Sequence, residues 1–301
     1  MRVAIGVDIG GTKIAVGLIE EGGICRHRLQ LPSLADDREA MFEQVVRAIQ
    51  ITMDQSGYTI DELEGIGIGV PGKVDVFRGV ALYQNNLPWR NFPLTDRIKE
   101  QFPVKRVVID NDVYMAALAE WAIRGADAEE TFVYLTISTG LSCSIIHKQT
   151  FLRGAGFAGE IGFLPVGVSS ETGEALTLEK AAAGPAIERR GAALTTDKLS
   201  TKEWLEAYNN QDPLAAKLVD EVADDIAKGV YAVVCLLDPN KLVLGGGVVQ
   251  SNPLFYDAIK RSLNKYLIPE QTDMLKRMAV SHLKETAGIV GAGLRLFHTV
   301  K

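Results

Sequence analysis

Asp8-Ile9-Gly10-Gly11-Thr12-Lys13, close to the start of the chain, combines the groups needed to hold a phosphate. The two glycines allow a tight turn that brings backbone N–H groups near phosphate oxygens. Thr12 adds a hydroxyl donor, and Asp8 is placed to hold Mg²⁺ through water. The same stretch also reads as a plain hairpin turn, because Gly-Gly is a common hairpin signal. It is neither a Walker A loop nor a GxGxxG fingerprint. Ser138-Thr139-Gly140 is a second turn between two apolar runs, and two such hairpins would grip a nucleotide's phosphates from two sides. Asp110-Asn111-Asp112 stands between a strand pattern and a helix pattern. Any carboxylate there caps free N–H groups. Chemically, Asn111 can fork hydrogen bonds to sugar hydroxyls, and Asp112 can accept a hydroxyl proton as a phosphoryl group arrives. Leu242-Val243-Leu244-Gly245-Gly246-Gly247 reads as a flexible turn after a strand, or as bare backbone against which an adenosine lies.

The elements that must position these groups follow from periodicity. Val3 to Val7 and Ile14 to Ile19 are expected strands around the first turn, with a third near Arg26 to Leu31. Met41, Phe42, Val45, Val46 and Ile49 recur at helical spacing, which predicts a helix from Asp37 to about Gln55. Gly65 to Val70 is an expected strand ending at Pro71-Gly72. A short helix with Leu94 and Ile98, a strand Arg106 to Ile109 and a helix Val113 to Ile123 come next. The second half repeats the opening: Phe132 to Ile137, a turn, then Cys143 to Ile146. A long helix over Pro213 to Val233, a strand Lys241 to Leu244 and a last helix of about 287–297 complete the pattern.

The chain has 301 residues, enough for one large domain or two lobes. Its net charge of -6 and the lack of a basic cluster argue against nucleic acid as a partner. Cys25, Cys143 and Cys235 are far apart with no CxxC pair, and the four histidines are scattered, so neither a disulfide framework nor a zinc site is expected. No apolar run is long enough for a membrane span, and the start lacks a signal-peptide pattern, so a cytoplasmic location is expected.

Taken in order, Asp8 to Lys13, Gly69-Val70-Pro71-Gly72, Asp110-Asn111-Asp112, Ser138-Thr139-Gly140, Ala158-Gly159-Glu160-Ile161-Gly162 and Gly245-Gly246-Gly247 resemble the ROK family (repressors, open reading frames and sugar kinases) over essentially the whole chain. The resemblance implies an α/β fold of two ribonuclease-H-like lobes, of the actin-like ATPase type, around a nucleotide and sugar cleft. It implies a sugar/phosphate lobe over 1–113, joined by a C-terminal helix at about 287–301, and a nucleotide-binding lobe over 114–286. The implied activity is transfer of the γ-phosphoryl group of ATP, with Mg²⁺, to a hexose hydroxyl, usually on C6, with Asp112 as general base. By the same resemblance Gly72, Asn86, Asn111, Asp112, Glu160 and Glu179 hold the sugar. Asp8, Gly10, Gly11, Thr12, Lys13, Thr139 and Gly140 handle phosphates, Gly246 and Gly247 the adenosine, and the protein is a homodimer. Asn86 sits in Asn85-Asn86-Leu87-Pro88-Trp89, which resembles the Asn-Leu-x-x-Trp stretch of the family's glucokinases.

Three departures stand out. The family's zinc-binding Cys-x-Cys-Gly-x-x-Gly-Cys is absent, since 163–178 has no cysteine. Phe163 replaces a His that in the family binds metal and touches the sugar near C1 and C2. An aromatic there resembles zinc-free relatives acting on β-glucosides and could stack on a sugar attached at C1, although a simply packed Phe is the reading the sequence favours. Leu141-Ser142-Cys143-Ser144 replaces the usual Ile-Gly-Gly-Gly, with the expectation that these side chains narrow the approach to the β- and γ-phosphates, weaken ATP binding, or hydrogen-bond in place of backbone groups. The alternative is a catalytically weak or inactive sugar sensor. Repressors of the family carry a winged-helix segment before the first motif, and the motif's start at residue 8 is expected to leave no room for one.

Overall fold

Strands β1 (Val3–Ile9) and β2 (Lys13–Glu20) form where apolar residues dominate on both sides of Gly10-Gly11, and they pair antiparallel from Val3↔Glu20 to Ile9↔Ile14. In this computed structural model, residues 2–84, 86–125, 127–168, 173–298 and 300 are described. The chain divides into two compact units, one of Met1–Ala128, Lys148–Phe151 and Glu285–Lys301, the other of Glu129–His147 and Leu152–Lys284.

In the first unit β3 (Cys25–Pro32), β4 (Leu63–Val70) and β8 (Val107–Asn111) complete a sheet of order β3-β2-β1-β4-β8, parallel across β1, β4 and β8. Helix α1 (Arg38–Ser56) starts where Asp37 caps the N–H groups of Glu39 and Ala40, and ends at Gly57 in the left-handed region. Its Met41, Phe42, Val45 and Ile49 pack with Val3, Ile5, Val7 and Ile9 of β1. Strand side chains alternate between faces, so Gly6 and Asp8 point the other way. On that side lies the helix Ala287–Leu294, so close that a Cβ on Gly6 would sit 2.0 Å from the carbonyl oxygen of Ile289. Three short strands, β5 (Lys73–Asp75), β6 (Val80–Tyr83) and β7 (Arg90–Phe92), make a small antiparallel sheet between Gly72 and α2 (Leu94–Gln101). Helix α3 (Asp112–Ile123) follows β8 without a linker.

The first unit thus keeps α3, which a boundary at 113 assigns to the other lobe. The physical reason is the contact of α3 with the C-terminal helix: a Cβ on Gly291 would fall 1.7 Å from the carbonyl oxygen of Met115.

The second unit opens in the same manner. Strands β9 (Thr131–Ile137) and β10 (Leu141–His147) pair antiparallel around the Ser138-Thr139-Gly140 turn. Strand β13 (Lys241–Gly245) lies parallel to β9 and to β14 (Met278–Val280), while β11 (Pro165–Val168) and β12 (Ala175–Thr177) form a separate ribbon. One face of the main sheet packs against α7 (Pro213–Leu237), after α4 (Leu178–Ala182), α5 (Gly184–Ala192) and α6 (Thr201–Asn209). The whole is a mixed α/β fold with several sheets.

Candidate active site

The first unit gathers the charged groups. Gly10 N–H donates to the carbonyl of Lys13, and Ser33 braces the turn by donating its hydroxyl to the Gly10 carbonyl at 2.6 Å. Asn86 lies against it, since a Cβ on Gly11 would come within 2.7 Å of the Asn86 Cβ. Asn85 is outside the described residues. Trp89 anchors this stretch: it is buried, donates its ring N–H to the Arg38 carbonyl and stacks on Phe92 at 4.8 Å. Lys13 Nζ lies 3.9 Å from Glu285, whose carboxylate also accepts from Arg28 at 2.9 Å.

Asp8 ends the inward face of β1, and Asp112 is the first residue of α3. Loss of water contact pushes the Asp8 carboxyl up to about 7, the nearby Asp112 charge pushes the same way, and Lys13 partly offsets both. Burial also raises the Asp112 carboxyl, against its hydrogen bonds from backbone N–H groups, including that of Val113 at 2.9 Å. Two carboxylates that repel each other beside the Gly10-Gly11 turn are a fitting place for a divalent cation, which would relieve the repulsion. Among the described residues no group of three or more His, Cys, Asp or Glu side chains is arranged to hold a metal. Mg²⁺ does not require one, because it is commonly held by one or two carboxylates with substrate phosphates and water.

Asn111 has a structural task that the sequence did not disclose. Its side-chain oxygen accepts from Val113 N–H, and its amide donates to the Gly72 carbonyl at 3.0 Å. Gly72, with φ +77, must be glycine, for a Cβ would meet the Tyr83 carbonyl at 2.3 Å. Asn111 therefore joins the Asp112 helix end to the Gly72 turn, and keeps one amide N–H and one lone pair for a ligand.

In the second unit Glu179 lies against Gly140, and Glu160 sits on a segment that crosses β10. Gly159 and Gly162 let their segment cross β10 closely, since Cβ atoms there would lie 1.9 Å from the Cys143 carbonyl and 2.1 Å from the Leu141 carbonyl. Glu160 is exposed between them, and its charge adds to the burial that pushes the Cys143 thiol up to about 12. Glu179, at the start of α4, accepts from Leu141 N–H at 2.9 Å, and its Oε2 is 2.7 Å from where a Gly140 Cβ would stand. This carboxylate braces the Thr139-Gly140 turn. Gly246, at φ +87, passes within 2.2 Å (measured from a Cβ) of the Ile137 carbonyl, and Gly247 starts a short helix in open space.

Two expectations about the departures need correction. Leu141 to Ser144 belong to β10, not to the turn; Cys143 and Ser144 are buried and only Ser142 is part-exposed. Burial in the sheet removes Cys143 and Ser144 from any phosphate path. Phe163 is 65% exposed, so it is not a packing residue. Residues 169–172 of the segment lacking the cysteine motif lie outside the described residues. No described helix is long and apolar enough to cross a membrane. The residue that sequence reasoning missed is Gly288, whose Cα abuts the Asp8 carboxylate. Its signal was three glycines within Ala287–Leu294, in a helix where each costs about 1 kcal/mol against alanine.

Each unit thus carries a glycine turn between two paired strands, one beside a carboxylate pair and the other braced by a carboxylate. The chain belongs to the ROK family, whose profile matches residues 4–299. It is 28% identical to a glucokinase of Halalkalibacterium halodurans, over 97% of this chain and 94% of that one. A ROK hexokinase from Thermus thermophilus is 31% identical with a TM-score of 0.80, covering 98% of both chains. A ROK family glucokinase from Streptomyces griseus, in complex with glucose and AMPPNP, is 29% identical with a TM-score of 0.79, over 96% of this chain and 97% of that one. These relatives support an ATP-dependent sugar kinase of the hexose class.

Proposed function

We propose that the protein transfers the γ-phosphoryl group of ATP to the C6 hydroxyl of a glucose-type hexose or β-glucoside, with Asp112 as general base. The observation that carries this reading is the Asp8–Asp112 carboxylate pair, set between the Gly10-Gly11 turn and the N-terminus of α3. Asp112 takes the hydroxyl proton, the sugar oxygen bonds to the γ-phosphorus, and the bond from that phosphorus to the β–γ bridging oxygen breaks to release ADP. The upward shift of Asp112 makes it a stronger base than an exposed carboxylate. Asp8 would hold Mg²⁺ through water, and that ion would supply charge to offset the phosphates. The turn at Gly10, Gly11 and Thr12, with Lys13, and the turn at Thr139 and Gly140 bind phosphate oxygens, and Gly246 and Gly247 receive the adenosine. Gly72, Asn86, Asn111, Glu160 and Glu179 orient the sugar, Glu179 by way of its hold on Leu141 as well.

The finer architecture belongs to the same reading: two ribonuclease-H-like lobes around a cleft, acting as a cytoplasmic homodimer. A coupled ADP-release screen over hexoses and β-glucosides tests the function. Release that requires a sugar and Mg²⁺ supports it, and sugar binding without turnover for any sugar replaces it by a sensor.

A further inference from the structure

The helix Ala287–Leu294 uses glycine at 288, 291 and 293, although glycine is the poorest helix former after proline. Two of these positions are explained by packing. A Cβ on Gly291 would meet the Met115 carbonyl at 1.7 Å, and one on Gly293 would meet the Ile19 side chain at 2.4 Å. Gly288 differs in kind. A Cβ there would stand 2.6 Å from both Cγ and Oδ2 of Asp8 and 3.0 Å from its Oδ1. What fills the space at Gly288 is a functional carboxylate, not backbone or hydrocarbon. Real Cβ atoms do not sit that close, so any side chain at 288 displaces Asp8 or the helix.

We propose that Gly288 is a positioning residue for Asp8: the bare Cα at the first turn of the C-terminal helix sets where the Asp8 carboxylate stands beside the phosphate-binding turn. Glue between the same segment and the turn is completed by Glu285, 3.9 Å from Lys13 and 2.9 Å from Arg28. One end of the C-terminal helix therefore addresses both charged residues of Asp8-Ile9-Gly10-Gly11-Thr12-Lys13. The consequence for nucleotide binding rests on the kinase reading; the contact itself does not.

The test compares Gly288→Ala, Asp8→Ala and the double variant. On helix propensity alone, alanine at 288 would raise stability, whereas the clash with Asp8 should lower the Tm of the ligand-free protein. Asp8→Ala removes the carboxylate and makes room, so the double variant should melt no lower than Asp8→Ala. If adding Gly288→Ala to Asp8→Ala costs as much Tm as it does in the natural chain, or prevents folding, the proposal is overturned. That comparison stands even where Gly288→Ala alone does not fold. In folded Gly288→Ala, the Kd for Mg²⁺·ADP should rise about tenfold or more, because small misplacements of charged groups are costly, with glucose binding unchanged. An unaltered Mg²⁺·ADP affinity also overturns the proposal. A natural protein that binds no Mg²⁺·ADP defeats the kinase reading instead, while the melting comparison still judges the Gly288–Asp8 contact.

Discussion

The two glycine turns look alike in sequence but differ in what surrounds them. Around Gly10-Gly11 the first unit collects charge: Asp8, Asp112, Lys13 and Glu285. Around Thr139-Gly140 the second unit supplies braces: the Glu179 carboxylate accepts from Leu141 N–H, and Gly184 N–H donates to the Ser138 carbonyl at 2.8 Å. The difference teaches that a common β-turn-β framework can serve two tasks. Under the proposed function, the first turn stands beside the proton and metal chemistry and the second keeps backbone donors in place.

The largest expected effect lies on the charged side. Asp112→Asn should lower kcat by about 10²–10⁴, the usual contribution of a positioned base, with sugar binding largely retained by equilibrium titration. Near-normal turnover in the folded variant would take the base role from Asp112.

The braced side predicts a smaller loss of another kind. Glu179→Ala removes a charge-assisted hydrogen bond worth about 1.5–3 kcal/mol, a factor of about ten to a hundred. If bracing the turn is its main task, steady-state kinetics should show KM for ATP rising more than KM for the sugar. The opposite split would make Glu179 chiefly a sugar contact and erase the contrast between the turns.

The charge contrast also has a pH signature. Folding raises the Asp8 carboxyl from 3.8 to about 7, so the folded state binds its proton more tightly than the unfolded one. Its stabilising effect is whole below about pH 4 and is lost as pH rises to about 7. Asp8→Asn lacks this loss, so without Mg²⁺ or nucleotide its Tm should gain on the natural protein by about 5 °C or more between pH 5 and pH 8. Parallel melting profiles would mean that Asp8 is not under electrostatic strain.

The smallest expected difference concerns Phe163. Its exposed ring offers a stacking surface beside Glu160 and no polar partner for C1 or C2. The kcat/KM for cellobiose should then fall within about tenfold of that for glucose, a gap of about 1.4 kcal/mol. Preference for free hexoses by a hundredfold or more over every β-glucoside tested would leave Phe163 without that role.

Much of this framework was legible in the residue pattern. Apolar runs around each turn marked β1, β2, β9 and β10, and helical spacing from Asp37 marked α1 to within a residue or two. The small sheet β5-β6-β7 was not legible, because strands of three or four residues are too short for alternation to register. Nor were the partners of Glu179, Asn111 and Gly288. Each is set by a contact across many residues, such as Glu179 with Leu141, that only the folded chain creates. Sequence types named the candidate groups, and tertiary packing decided which of them brace others.

The most direct measurement is the product itself. Incubation of the protein with ATP, Mg²⁺ and glucose, followed by ³¹P and proton NMR, should show a phosphomonoester on C6 formed in step with ADP. Inorganic phosphate released at the same rate with or without sugar, or no phosphomonoester with any hexose or β-glucoside, would contradict the account.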